Sequence, residues 1–536
     1  MRYLKADAVF VNGKIRTQDF HDRVVQAIAV KDGRILVVGQ NAEVQNVCGD
    51  LTECHDLGGR TVIPGLIDSH LHLLSFGQSL DRIVLSDTAS IEQMKRALSQ
   101  KVAEAEPQTW LFGRGWDQDR LSESRYPNRD DLDEVSPDNP VVLTRACGHV
   151  SVVNSAALKI ANIDENTPDP AGGVIDRDND GRPTGIFRER AMDLIRVHIP
   201  EPSREELLAC LRNAMRAAVR AGLTSIHTND GVQAGLDIVP ELYRTLHRQG
   251  ERLRVYWDVP CAHADELLAS AYRTGSGDEY FKFGSVKMFI DGSLGGRTAA
   301  LDGWYADEPG NNGVLVLEPA QLDELVLRCH AAGMQVAAHA IGDRGVRLVL
   351  DAIHKADMQV PRPGSRHRVI HCQIMTPELY DRFAALGVVA DIQPKFVTTD
   401  MLWAENRVGR DKAKTSYAWK TFLDRGIPAA GGSDCPVEPI EPMLGIYAAV
   451  TRCDMQGQPE DGWMPEQRLS VNEAVRLFTQ GGAFAAYEEH SKGTLEAGKL
   501  ADFVVLDSNI YEIDPMDIIG VRPVMTVIGG KVVYSV

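Results

Sequence analysis

Residues 62–72 read Val62-Ile63-Pro64-Gly65-Leu66-Ile67-Asp68-Ser69-His70-Leu71-His72. The apolar run from Val62 to Ile67 predicts a buried strand, and two histidines two residues apart follow at its end. Residues i and i+2 of a strand project to the same side. Both imidazoles can therefore face one point in space, as two ligands of one metal ion require.

Working outward, seven further short apolar segments recur: Leu223–Ile226, Leu253–Trp257, Val286–Ile290, Gln335–His339, Arg368–His371, Val388–Ile392 and Ile427–Gly431. Helix-like stretches such as Glu205 to Ala221 and Leu322 to Ala332 separate most of them. Strands alternating with helices indicate a parallel α/β architecture. Eight such strands predict a (β/α)8 TIM barrel, whose active site lies at the carboxyl ends of the strands. The count requires residues of about 75–205 to be an insertion after barrel strand 1, expected to cover the active site. Asn139 to Arg145 also reads as a strand and is assigned to that insertion.

The two ends of the chain differ from this middle. Asn12-Gly13, Asp32-Gly33 and Gly529-Gly530 are hairpin signals between apolar runs, because such turns need positive φ. Isolated hairpins are marginal in water. The economical reading is one small β-sandwich domain from 1–60 and 490–536, beside a barrel spanning 61–489.

With 536 residues, the chain can bury a large core. A formal charge of −18 argues against nucleic acid or an anionic membrane as partner. The start, Met1-Arg2-Tyr3-Leu4-Lys5-Ala6-Asp7, lacks a signal-peptide core, and no apolar run approaches the roughly 18 residues of a membrane span. Nine scattered cysteines without a Cys-x-x-Cys pair suit a reducing cytoplasm. The expected partner is a small-molecule substrate, with a homodimer left open.

Four more ligand candidates fall at predicted strand ends or within a strand. His339 ends the fifth strand, His371 the sixth, and Asp434 follows the eighth in Gly432-Ser433-Asp434. Lys287 sits inside Val286-Lys287-Met288-Phe289-Ile290, where an unpaired ammonium is costly. Desolvation lowers a lysine pKa, and a neutral amine can take up CO2 as a carbamate, an anion able to bridge two metals. Taken singly, each residue has a plainer reading: a hydrogen-bonded core histidine, a helix-capping aspartate, a lysine paired with Asp291. Chance placement of all six at strands 1, 4, 5, 6 and 8 is the harder reading.

The chain resembles the amidohydrolase superfamily, in its amidohydrolase-3 branch, which includes N-substituted formamide deformylase. The resemblance runs through Pro64 to His72, Gly148-His149, Asn154 to Leu158, Pro183-Thr184-Gly185 and Asp291-Gly292-Ser293-Leu294-Gly295-Gly296-Arg297. It continues in His339-Ala340-Ile341-Gly342-Asp343, Gly432 to Val437 and Gly498-Lys499-Leu500-Ala501-Asp502-Phe503. It implies that His70, His72 and Asp434 bind one metal and His339 and His371 a second, with Lys287 bridging if carboxylated. It implies a metal-activated hydroxide as nucleophile and Asp434 as the proton carrier. Zinc is the default for this ligand set, and iron, manganese or nickel would also suit it.

His149, Arg297 and Gln393 are the softer, substrate-binding candidates; Lys395 at the mouth would favour an anionic substrate, and Trp110, Trp116 and Trp403 would supply apolar walls. The resulting expectation is hydrolysis of a C–N bond in an N-substituted formamide, N-acyl amine or cyclic amide. The alternatives are a deaminase or esterase of the same superfamily, or a metal-free interaction protein. Deaminases of the superfamily place a Glu three residues after the fifth-strand histidine; here Gly342 stands at that position.

Overall fold

The structure is a computed structural model that describes residues 5–231 and 235–536. The first four residues of the segment read for a signal peptide lie outside the described residues. The chain divides into two compact units, Met1–Phe76 with Leu211–Val536, and Gly77–Cys210.

In the larger unit, eight parallel strands lie side by side in chain order. They are β1 (Leu66–Leu71), β2 (Leu223–Thr228), β3 (Arg254–Pro260), β4 (Phe281–Phe289), β5 (Val336–Ala340), β6 (Arg368–His371), β7 (Val389–Ile392) and β8 (Ala429–Gly431). Helices such as Pro319–Ala331, Asp343–Gln359 and Pro377–Leu386 separate the later strands. The last strand meets the first through the loop that follows it. Ser433 N–H donates to Asp68 Oδ1 (3.1 Å), and Asp434 N–H donates to the His70 carbonyl (2.8 Å). The result is a nearly closed (β/α)8 barrel.

One reading of the opening stretch is corrected. Val62 to Ile67 is not a single strand. Thr61–Pro64 pairs with Lys14–Arg16 and Phe503–Leu506 in a terminal sheet, and only Leu66–Leu71 joins the barrel. Gly65 is the joint. A Cβ there would stand 2.2 Å from Thr224 Oγ1, so the chain passes β2 with room only for hydrogen.

The first 56 residues supply a four-stranded sheet, and strands from both ends of the chain pair in a six-stranded one. Phe10, Ile28, Val62, Phe503, Val505 and Val527 share one core. Asp32-Gly33 (φ 50° and 76°) and Gly529-Gly530 (φ 56° and 70°) turn hairpins. Asn12-Gly13 instead passes the chain from one sheet to the other: Ala8–Val11 lies in the four-stranded sheet and Lys14–Arg16 in the six-stranded one.

The barrel interior is polar beneath its carboxyl-terminal rim. Arg368, fully buried, donates to both oxygens of Asp258 (3.2 Å each), to Asp391 (Nε, 3.0 Å) and to the Ser69 carbonyl. Ser285 Oγ donates to Asp258 (2.6 Å) and Ser69 Oγ to Asp391 (2.5 Å). This layer ties β1, β3, β4, β6 and β7 together.

The unit Gly77–Cys210 has a six-stranded sheet that includes Leu111–Trp116, Val141–Arg145, Val150–Val153 and Pro183–Glu189. The helix Ile91–Glu104 packs Met94 and Leu98 against Leu111, Trp116 and Leu143. Trp116 is fully buried in that core and donates to the Leu143 carbonyl (2.8 Å), so it lines no site. Among the described residues no helix is long and apolar enough to cross a membrane.

Candidate metal centre

The rim of the barrel collects the sequence-derived ligands. His70 lies in β1; His72 follows it, held by its N–H donating to the Cys435 carbonyl (2.8 Å). Asp434 adopts φ 57°, a left-handed conformation that non-glycine residues keep only where the surroundings impose it. Its Oδ1 stands 3.4 Å from His70 Nε2 and 3.4 Å from His72 Nε2. Donor atoms of the three residues all lie within 4.8 Å of one another. Two donors each about 2.1 Å from a tetrahedral ion stand roughly 3.4 Å apart, so the spacing fits one shared cation.

Hydrogen bonds set the available nitrogen on the other histidines. His72 Nδ1 lies 2.9 Å from the Asn229 carbonyl and must carry its proton there, which leaves Nε2 as the lone pair. His371 Nδ1 lies 2.7 Å from Gln393 Oε1, which likewise leaves Nε2. His339 Nε2 lies 3.2 Å from the Gly292 carbonyl, leaving the Nδ1 lone pair free for a metal ion. The His339 and His371 rings are 4.4 Å apart, and His371 is 5.9 Å from His70.

Burial favours the neutral form of His70, His339 and His371. It pulls His70 and His371 well below their usual value and His339 down to about 3, and the nearby Lys287 charge adds to each shift. His72 alone is raised: burial opposes protonation there, but the Asp434 carboxylate outweighs it. Neutral imidazole is the metal-binding form.

Among the buried polar atoms that form no hydrogen bond within the described residues are His70 Nδ1, His70 Nε2 and Lys287 Nζ. An unsatisfied buried polar group costs about 1–3 kcal/mol. Burial pushes Lys287 down to about 8. Its Nζ lies 4.0 Å from the Phe289 ring centroid and not on Asp291. Asp291 is occupied by backbone N–H groups of Ala300, Ile341 and Gly342 (2.8–3.0 Å), and burial raises it to about 6. The donor set and its orphaned nitrogens fit a divalent metal.

The softer candidates are less converged. The Arg297 guanidinium is engaged by Asp307 (3.0 and 3.1 Å) and Glu308. Gln393 serves His371, and Lys395 is buried against Thr398 and Glu438 (3.1 Å). His149 belongs to the unit Gly77–Cys210, where it is exposed and 3.0 Å from Glu189. Sequence reasoning missed Asn229 and the Arg368–Asp258–Asp391 layer. The charges of that layer, set inside apolar strand segments, carried the same anomaly that singled out Lys287.

A family model described as "Amidohydrolase family" matches residues 53–534. A putative amidohydrolase of Bacillus subtilis, YtcJ, is 37% identical over 98% of this chain and 99% of its own. The N-substituted formamide deformylase of Arthrobacter pascens is 27% identical, over 95% and 94% of the two chains. The crystal structure of an uncharacterized metal-dependent hydrolase from Pyrococcus furiosus superposes with a TM-score of 0.79 at 31% identity, covering 94% of this chain and all of that one.

Proposed function

The chain belongs to the amidohydrolase family, and on that premise we propose that it hydrolyses the C–N bond of an amide-type small molecule: an N-substituted formamide, an N-acyl amine or a cyclic amide. The observation that carries this reading is the convergence of His70, His72 and Asp434 within 4.8 Å beside an unpartnered buried lysine. His70, His72 and Asp434 would hold one divalent ion, and His339 and His371 a second, with zinc the first expectation. When bound, such an ion supplies Lewis acidity toward a carbonyl oxygen and lowers the pKa of a water molecule to about 7.

The chain's own groups do the rest. Asn229, Gln393 and Gly292 fix the ring orientations of His72, His371 and His339. A carboxylate oxygen of Asp434 takes a proton from the attacking water and delivers it to the leaving nitrogen as the C–N bond breaks. Lys287, made a ready nucleophile by burial, adds its Nζ lone pair to CO2 and loses one proton to give a carbamate. That anion would serve both ion positions, since the charge on Lys287 is felt by His70, His72, His339 and His371. Arg297 and His149 remain proposed substrate contacts, Arg297 already paired with Asp307 and His149 Nδ1 3.0 Å from a Glu189 oxygen.

The test is a metal assay on purified protein, then rates on N-formyl amines, N-acyl amino acids, cyclic imides and matched esters. The reading expects near-stoichiometric metal and turnover of at least one amide class above its ester. Metal-replete protein that cleaves only esters, or nothing in the panel, would overturn it.

A further inference from the structure

The unit Gly77–Cys210 encloses a cavity of about 380 Å3, lined only by its own residues. That volume is within the range of small-molecule sites, roughly 300–1,000 Å3. The strands Leu111–Trp116 and Val141–Arg145 send alternate residues to it, Phe112 and Arg114 from one, Val142 and Thr144 from the other. Period two places each pair on one face of the sheet. Phe187 and Ile195, both buried, add apolar wall. Thr144 Oγ1 and Ser151 Oγ, 3.1 Å apart, put a pair of hydroxyls among these apolar walls.

Two exposed arginines, Arg82 and Arg114, also line the cavity. Among the described residues neither guanidinium meets a carboxylate or a hydrogen-bond acceptor. Both line the same cavity, and burial and then the charge on Arg114 lower the pKa of Arg82. Other arginines of this unit are compensated, Arg125 by Asp131, Arg145 by Asp117, Arg188 by Asp176, and Arg196 of the same cavity by Asp193. In a chain of net charge −18, anions are abundant. Two like charges left together beside an apolar pocket repel each other at a cost that a bound anion would remove.

We propose that this cavity binds a small organic carboxylate with an apolar body, the head on Arg82 and Arg114 and the body along Phe112, Phe187 and Ile195. The fork of a guanidinium matches a carboxylate in two parallel hydrogen bonds. The walls favour a hydrocarbon body over a bare ion, because burying apolar surface is worth about 25 cal/mol per Å2 and inorganic phosphate buries none. The inference is independent of the reading of the metal centre.

Isothermal titration of the metal-replete full chain tests it, with octanoate, octan-1-ol and inorganic phosphate as probes. The expected result is saturable octanoate binding, with octanol and phosphate each weaker by about tenfold or more. The double variant R82Q/R114Q should lose octanoate binding by at least a similar factor while keeping the wild-type melting temperature, since both side chains are exposed. Trp110, stacked on Phe112 at 6.4 Å, gives a second readout through its fluorescence, which octanoate should change in the wild type alone. Absent saturation would overturn the proposal. So would octanol binding equally, which marks an apolar cavity without head-group recognition, or phosphate binding equally, which marks the arginines alone. Octanoate affinity untouched by R82Q/R114Q but abolished by chelation would assign the carboxylate to the metal centre instead.

Discussion

Lys287 and Arg368 are both buried cations on barrel strands, and their surroundings are opposite. Arg368 meets Asp258, Asp391 and the Ser69 carbonyl, while Lys287 Nζ meets no acceptor. Removing a cation from a satisfied buried network leaves its anions uncompensated. Arg368→Met should therefore destabilise the protein by about 3–5 kcal/mol in chemical denaturation. Restoring neutrality with D258N and D391N should recover much of that loss. Lys287→Met removes an orphan instead of a partner. Metal-stripped K287M should be at least as stable as metal-stripped wild type, while metal content and turnover collapse. Lys287→Ala should regain part of its rate with added short carboxylic acids, and Lys287→Arg should not, because arginine stays cationic. A K287A enzyme of undiminished activity and metal content would remove the bridging carbamate from the scheme.

Between elements, the buried His330–His367 pair joins the helix Pro319–Ala331 to the amino-terminal side of β5 and β6. Val336 N–H donates to His367 Nδ1 (3.0 Å), so the proton of His367 sits on Nε2, which donates to His330 Nδ1 (2.8 Å). His330 Nε2–H then donates to the Val360 carbonyl (2.7 Å). This chain needs both rings neutral, and burial followed by the His330 charge lowers His367 to about 3. The folded value lies below the unfolded one of about 6.5, so this contribution is fully present above pH 6.5 and is lost as pH falls toward 3. His367→Gln should flatten the stability–pH curve there by up to about 1.4 kcal/mol per pH unit, read by urea titration at stepped pH. An unchanged slope would show that His367 is already charged in the fold. Nothing in the local sequence announces this pair, because its logic is a contact 37 residues apart. Gly65 is illegible for the same reason. Both halves of Thr61–Leu71 are wholly buried, which erases the alternation that would mark a break, and the break is made by Thr224 in another strand. Gly65→Ala should cost roughly 1–3 kcal/mol by overpacking, with part returned by Thr224→Ala in a double-mutant cycle.

At the scale of the whole molecule, what the sequence displays well is whatever repeats or clashes locally. The barrel is legible because short buried strands alternate with helices, and the rim because histidines, a lysine and an aspartate are conspicuous at strand ends. The terminal sheets are legible only as hairpins; which strands adjoin depends on pairings between residues hundreds of positions apart. Phe503–Leu506 pairs with Thr61–Pro64, and the buried Arg254–Asp502 ion pair (2.7 Å) ties that strand to β3. Phe503 itself packs edge-on against Phe10 with ring centroids 4.8 Å apart, so one side chain near the end of the chain supports a strand near its beginning. If the two ends form one cooperative unit, Phe503→Ala should lower global stability by about 3–5 kcal/mol through the cavity it leaves. It should also speed amide hydrogen exchange in two places at once: the strands Ala8–Val11 and Ala27–Lys31, and the strands Pro523–Ile528 and Lys531–Ser535. Units that open together share one opening free energy, so both sets of amides should converge on the same reduced protection. Faster exchange confined to the C-terminal strands, with Ala8–Lys31 as protected as before, would show two separately opening pieces instead of one shared domain.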